Sequence, residues 1–289
     1  MARDRRDGKL IVDKDPIHKI MMHVMPLRCD SDVYINQKMD VTELVKYYEK
    51  KKKTDKDLTY FHLFVTIIAK VIYNKPYLNR FVINKNTYQR NTVSVSYTAK
   101  VDFGDESKEL LSVMEFDKED TLREVKEKVL NSVEKIRNSK EESGTNKILN
   151  IVTKFPNPIM GLIVKVVKFM DRHDLLPKDL IEDNLYYSTV IVSNLGSIKG
   201  GAIYHHLTDF GTNSILMTIG EIKKEKMLMP SGKEEIRDVC EMGITLDERI
   251  GDGVYFIKAA HLIQDILSNP KCLEDKVSEK IEDKVKLKY

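Results

Sequence analysis

Thr245-Leu246-Asp247-Glu248-Arg249-Ile250-Gly251-Asp252-Gly253 is the stretch that decides how this chain is read. It stands where an apolar strand pattern gives way to a helical one. Four charged side chains fall within six positions, beside two glycines, so the run cannot all be sheet core. Glycine permits a tight backbone path, and Asp252 sits just before the helix, where a carboxylate caps free N–H groups. Two readings fit these residues. One is a helix-entry turn held by a salt-bridge set of Asp247, Arg249 and Asp252. The other is a functional site at a strand end.

Working upstream, Ile236 to Leu246 reads as a strand broken near Gly243, and Ser231-Gly232-Lys233 as a hairpin tip. Ser214 to Ile219 is a further strand, followed by Gly220. Tyr186 to Val192 is rich in β-formers and runs into Ser193-Asn194-Leu195-Gly196. Downstream, Val254 to Leu267 has a helical pattern that stops at Asn269-Pro270. Residues 271–289 are highly charged and are expected to pack lightly.

The first half interleaves helices and strands. Residues 1–15 form a polar segment expected to lie over the surface. Ile17 to Met25 fits a short helix or an extended entry. Val33 to Met39 alternates as a strand, with Asp40 placed to cap a following helix, and 50–57 reads as a lysine-rich solvated turn. Thr59 to Tyr73 is apolar over a length that favours a buried helix. A short strand pair follows Pro76, then strands over Thr92 to Ala99 and Leu110 to Phe116. Thr121 and Glu124 have capping-box spacing ahead of a helix reaching about Arg137. The polar stretch 138–147 is a surface connection. Pro158 to Met170 is apolar with Lys165 and Lys168, and a helix packed under a sheet is favoured over one lying on a membrane. This order predicts an α/β two-layer sandwich, a large mixed sheet with packed helices, over residues 16–270.

Composition narrows the function classes. Of 289 residues, 42% are hydrophobic, enough for a real core. Lysine and arginine number 48 against 45 acidic residues, a balance that argues against a nucleic-acid partner. Cys29, Cys240 and Cys272 are odd in number and widely spaced, which gives neither a disulfide framework nor a zinc pattern. A reducing, cytoplasmic setting and no bound metal are expected. No apolar run reaches the length of a membrane span, so no membrane partner is expected. Gly-x-Gly-x-x-Gly and Walker patterns are absent.

The opening stretch resembles the signature of the catalytic domain of dihydrolipoamide acyltransferases, the core subunit of 2-oxo acid dehydrogenase complexes. Chloramphenicol acetyltransferases have a related fold. The family signature reads Asp-His-Arg-x-x-Asp-Gly, and this chain has Asp247-Glu248-Arg249-Ile250-Gly251-Asp252-Gly253, with glutamate for histidine. Val190-Ile191-Val192-Ser193-Asn194-Leu195-Gly196 resembles the family's Ile-Ser-Asn-Leu-Gly segment. The similarity covers about residues 15–270 and implies the chloramphenicol acetyltransferase-like sandwich.

The resemblance also implies a chemistry. In the family, histidine is the general base toward a thiol or hydroxyl acceptor that attacks acyl-CoA. A serine stabilises the oxyanion, and the signature aspartate organises the site by ion pairing. Carried over, Glu248 stands at the base position, Ser193 at the oxyanion position and Asp252 at the organiser position. Coenzyme A or acyl-CoA is the implied substrate, and the acceptor is a small molecule. The implied assembly is a homotrimer with sites at subunit boundaries, and no attached lipoyl module is expected. A glutamate is ordinarily ionised with a pKa of about 4.3, a weak base toward a thiol of about 8.5. Two expectations follow: an acyltransferase working with Glu248, or an inactive trimeric homologue with a binding, regulatory or structural role. His205 and His206, in the loop after Gly200-Gly201, are further candidates.

Overall fold

In the computed structural model, which describes residues 3–12, 15–100, 109–138, 152–181, 184–229 and 231–282, the hydrophobic patterns resolve into interleaved elements. In chain order they are β1 (Gly8–Leu10), α1 (Pro16–Val24), β2 (Asp32–Asp40), α2 (Thr42–Lys52) and α3 (Tyr60–Asn74). Next come β3 (Arg80–Ile83), β4 (Asn86–Arg90), β5 (Val93–Lys100), β6 (Glu109–Phe116), α4 (Leu122–Asn138) and α5 (Asn157–Arg172). The last are β7 (Val190–Asn194), β8 (Ile215–Leu228), β9 (Glu234–Asp247) and α6 (Gly253–Ser268).

The central sheet runs β2-β9-β8-β7-β5-β6. β7 is parallel to both neighbours, and the other pairs are antiparallel. β1, β4 and β3 form a small separate antiparallel sheet. The expected two-layer α/β sandwich with a large mixed sheet is therefore present. Because side chains alternate along a strand, Val190, Val192, Ile215, Met217, Met242 and Ile244 all enter one core under the helices. Ser193, Thr218 and Gly243 alternate to the opposite face.

Helix α3 is the centre of that core. It is buried on every side, including the polar row His62, Thr66 and Lys70, as expected of a helix surrounded by other elements. Residues His62 through Ile72 are buried, between β5, α4 and α6. Its start is fixed by a reciprocal cap: the His62 N–H donates to Thr59 Oγ1 at 3.4 Å, and the Thr59 N–H donates to His62 Nδ1 at 3.1 Å. Histidine takes the place that glutamate or glutamine holds in the common capping box.

Several expectations are corrected. Gly243 does not break its strand: β9 runs unbroken to Asp247, and the irregularity lies in β8 between Ile219 and Ile222. β8 does not end at Gly220 but continues to Leu228. Lys50, Lys51 and Lys52 belong to the last turn of α2, where cations suit the helix dipole. The segment after 270 packs firmly as far as it is described. Leu273 and Val277 are fully buried, and the Val277 N–H donates to Asp120 O at 2.7 Å. The N-terminal segment supplies β1 and buries Arg5 against Asp7 and the Asp171 carbonyl. Most of the surface connection expected over 138–147 lies outside the described residues.

Helix α5 departs furthest from expectation. It is not packed under a sheet: Ile159, Leu162, Val166 and Phe169 are all exposed at helical spacing, Leu162 at 62%. Only Asp171 of this helix is buried. Among the described residues no helix is long and apolar enough to cross a membrane.

His62 gives the fold a pH dependence. Burial holds its imidazole down at about pKa 4, with Lys126 adding to the effect. The unfolded chain takes up a proton near the ordinary value of about 6.5. Stability is therefore fully present above that value and falls as pH drops from about 6.5 toward 4, by up to roughly 3 kcal/mol. Denaturant melts across this window should show the slope in the wild type and a flatter profile in His62→Gln, which keeps a capping acceptor without the titration.

Candidate functional site

At the end of β9 the chain buries two opposite charges. Asp247 is 0% exposed and Arg249 3%. Arg249 Nε donates to Asp247 Oδ1 at 2.8 Å, and Nη2 donates to Oδ2 at 2.8 Å, a bidentate pair. The Arg249 N–H and the Ser31 hydroxyl both donate to Oδ1 at 3.0 Å. Arg249 Nη1 reaches the carbonyls of Met25 and Pro26. The pair thus ties the end of β9 to the segment between α1 and β2.

This pair sets the direction of its neighbours. The turn Glu248–Ile250 is a single 3-10 turn in which Arg249 and Ile250 point inward. Glu248, between two inward side chains, is exposed. Among the described residues no hydrogen bond or ion pair reaches its carboxylate. Asp252 then caps α6, accepting from the Tyr255 N–H at 2.7 Å. Of the three residues expected to form a salt-bridge set, two pair and the third is a helix cap. The buried ion pair of this turn is that of Asp247 and Arg249, and among the described residues Asp252 makes none.

Ser193 lies elsewhere on the same sheet. It is half-buried near the end of β7, with no side-chain hydrogen bond among the described residues. It stands in register with Thr218, and Thr218 with Gly243. Glu248 is five residues beyond Gly243. At about 3.4 Å per residue and about 4.8 Å per strand, Ser193 and Glu248 are roughly 20 Å apart within the chain. They cannot reach one reacting carbonyl within a single chain.

The loop between β7 and β8 crosses the face of the sheet that carries Thr218 and Gly243. Thr218 Oγ1 donates to Ile203 O and accepts from the Ile203 N–H. A Cβ on Gly243 would stand 2.5 Å from Ile203 O, so only glycine lets this loop lie flat. His205 and His206 sit in the loop and are exposed. Among the described residues no group of three or more His, Cys, Asp or Glu is arranged to hold a metal ion.

One residue near Glu248 escaped the sequence reading. Asp32 opens β2 and is the register partner of Asp247. It accepts from the Leu207 N–H at 3.4 Å and from the Tyr34 hydroxyl at 3.2 Å. Burial pushes its carboxyl up, while these donors and the nearby His206 oppose the shift. No local motif marks Asp32, since only the pairing of β2 with β9 brings it there.

The two aspartates of the signature should separate cleanly in a stability measurement. Asp247→Ala leaves a buried guanidinium without its partner and should cost about 3–5 kcal/mol. Asp252→Ala removes a cap and should cost about 1 kcal/mol. Urea unfolding of both variants checks the ratio.

No protein-family model matches the sequence, and no curated protein matches it. Solved structures do match in fold. A probable dihydrolipoamide acetyltransferase from Listeria monocytogenes is similar at 15% identity and a TM-score of 0.55, over 91% of this chain and 95% of that one. A truncated catalytic core of the 2-oxoacid dehydrogenase multienzyme complex from Thermoplasma acidophilum gives 14% identity and 0.55, over 90% and 98%. A chloramphenicol acetyltransferase gives 10% and 0.56, over 90% and 99%. At these identities the likeness concerns the fold, and this chain has the two-layer fold of chloramphenicol acetyltransferase and the dihydrolipoamide acyltransferase core.

Proposed function

We propose that the chain is a CoA-dependent acyltransferase-like protein whose site forms between protomers of a homotrimer. The observation that carries this reading is the roughly 20 Å separation of Ser193 and Glu248 within one chain. Both polar groups are without hydrogen bonds among the described residues, as expected of groups that face a shared boundary. The exposed Tyr34, Ile203 and Tyr204 lend apolar surface to such a contact.

In the assembled site Glu248 of one protomer accepts the proton of a small thiol, hydroxyl or amine acceptor. The acceptor attacks the thioester carbonyl of acyl-CoA. Ser193 of the neighbouring protomer donates to the tetrahedral oxyanion, whose collapse transfers the acyl group and releases CoA as the thiol after it takes the proton back from Glu248. Oxyanion donation and positioning supply rate even beside a weak base.

A second reading is favoured by the exposure of Glu248. A carboxylate open to water lacks the desolvation that makes such a group a stronger base. Under this reading the chain is an inactive homologue that keeps the assembly for a binding, regulatory or structural role.

Release of CoA thiol from a panel of acyl-CoAs, with thiol, hydroxyl and amine acceptors, separates the two. Under the enzyme reading Glu248→Gln lowers turnover by about 10²–10⁴ and Ser193→Ala by about 10²–10³. Refolding the two variants together should restore about a quarter of the wild-type rate, because one site in four then holds both native residues. Absence of turnover with every donor supports the inactive homologue. Turnover unchanged by either substitution removes these residues from the chemistry, and turnover by a monomer removes the shared site.

A further inference from the structure

Beneath the small sheet lies a cavity of about 160 Å³. That is ample for several waters or a small ion. Its wall is built from the segment after α1, the β3–β4 turn, the end of α5 and the loop before β8. The charges on this wall do not balance. Asp171 faces Arg5 at 3.5 Å, Asp209 pairs with Lys168 at 3.2 Å, and Arg249 is held by Asp247. That leaves Arg28, Lys85 and Arg172 on the wall with no carboxylate within 4 Å among the described residues.

Arg28 is the decisive member. It is only 4% exposed. Its partners are neutral carbonyls, Val82 O at 2.9 Å and Thr208 O at 3.3 Å, and its Nε has none. Burial pushes its pKa down, against the pull of Asp247 and other carboxylates. A guanidinium kept from water with no carboxylate in contact is costly to hold. Lys85 and Arg172 are exposed, so the cavity has a buried cation within and two more cations toward solvent. Lys85 is steadied by His23 Nδ1 at 3.1 Å.

We propose that this cavity is a binding site for a phosphate-class oxyanion, seated on Arg28 and flanked by Arg172 and Lys85. The planar guanidinium forks suit tetrahedral oxyanions, and the excess of cations over carboxylates favours a dianion over a single carboxylate. Either inorganic phosphate or the phosphate monoester of a small molecule supplies that chemistry. The site makes no use of Glu248 or Ser193, so it stands whether or not the chain transfers acyl groups.

Calorimetry and thermal melts with inorganic phosphate and with glycerol phosphate, against chloride at matched ionic strength, test the proposal. The wild type should bind phosphate saturably, and its melting temperature should rise with phosphate by mass action. A stronger response to the monoester assigns an organic ligand, and an equal response assigns the free ion. Arg172→Met changes an exposed residue and should weaken binding about tenfold, the loss of one charge-assisted contact. Arg28→Met should be at least as stable as the wild type in phosphate-free buffer and gain nothing from phosphate. The proposal is overturned if phosphate and chloride act alike on the wild type. It is also overturned if Arg28→Met is destabilised equally with and without phosphate, because Arg28 would then be a structural donor only.

Discussion

The buried pair of Asp247 and Arg249 is the constraint on which the site depends. Two charges removed from water are tolerated only when their hydrogen-bonding positions are matched. Here the carboxylate takes donors from Arg249 and Ser31, and the guanidinium spends its remaining donors on the carbonyls of Met25 and Pro26. The strand end, the segment after α1 and the entry to α6 are thereby fixed relative to one another. The pair turns Glu248 outward, and it also places the Arg249 side chain on the wall of the charged cavity. One interaction orients two different surfaces.

The opposite end of the site is organised by close backbone approach and not by charge. Gly196 would meet Gly220 O at 2.6 Å if it carried a Cβ, and Gly243 would meet Ile203 O. The loop after β7 can therefore lie against the sheet with little side chain between. Ser193 is the last strand residue but one before that loop, so its position is set by the pairing of β7 with β8.

Much of the fold was legible because local signals agreed with the tertiary result. Asp252 announced a helix that the structure caps at that residue, the apolar run from Thr59 marked α3, and the alternation over 33–39 marked β2. The misreadings share a cause. Gly243 looked like a strand breaker because its reason for being glycine, the carbonyl of Ile203, lies 40 positions away in sequence. The pattern of α5 states that the helix has an apolar stripe but not what the stripe faces. The charged composition after 270 hid Leu273 and Val277, and with them the main-chain bonds that hold the segment. Within the site, the motif residues were readable, whereas Asp32 and the distance between Ser193 and Glu248 follow from strand register alone.

The packing of that last segment bears on the order in which the chain assembles. Lys70 is fully buried at the centre of α3, and its ammonium donates to the carbonyl of Lys276 at 2.6 Å. Asn74, one turn on, is bonded to Glu279 and Ile281. A charge in the middle of the central core helix thus has its acceptor 206 positions downstream. Contacts of such long sequence separation form slowly. The burial of this ammonium thereby couples the centre of α3 to the segment around Lys276, and the polar inside of the core is satisfied only with that segment in place.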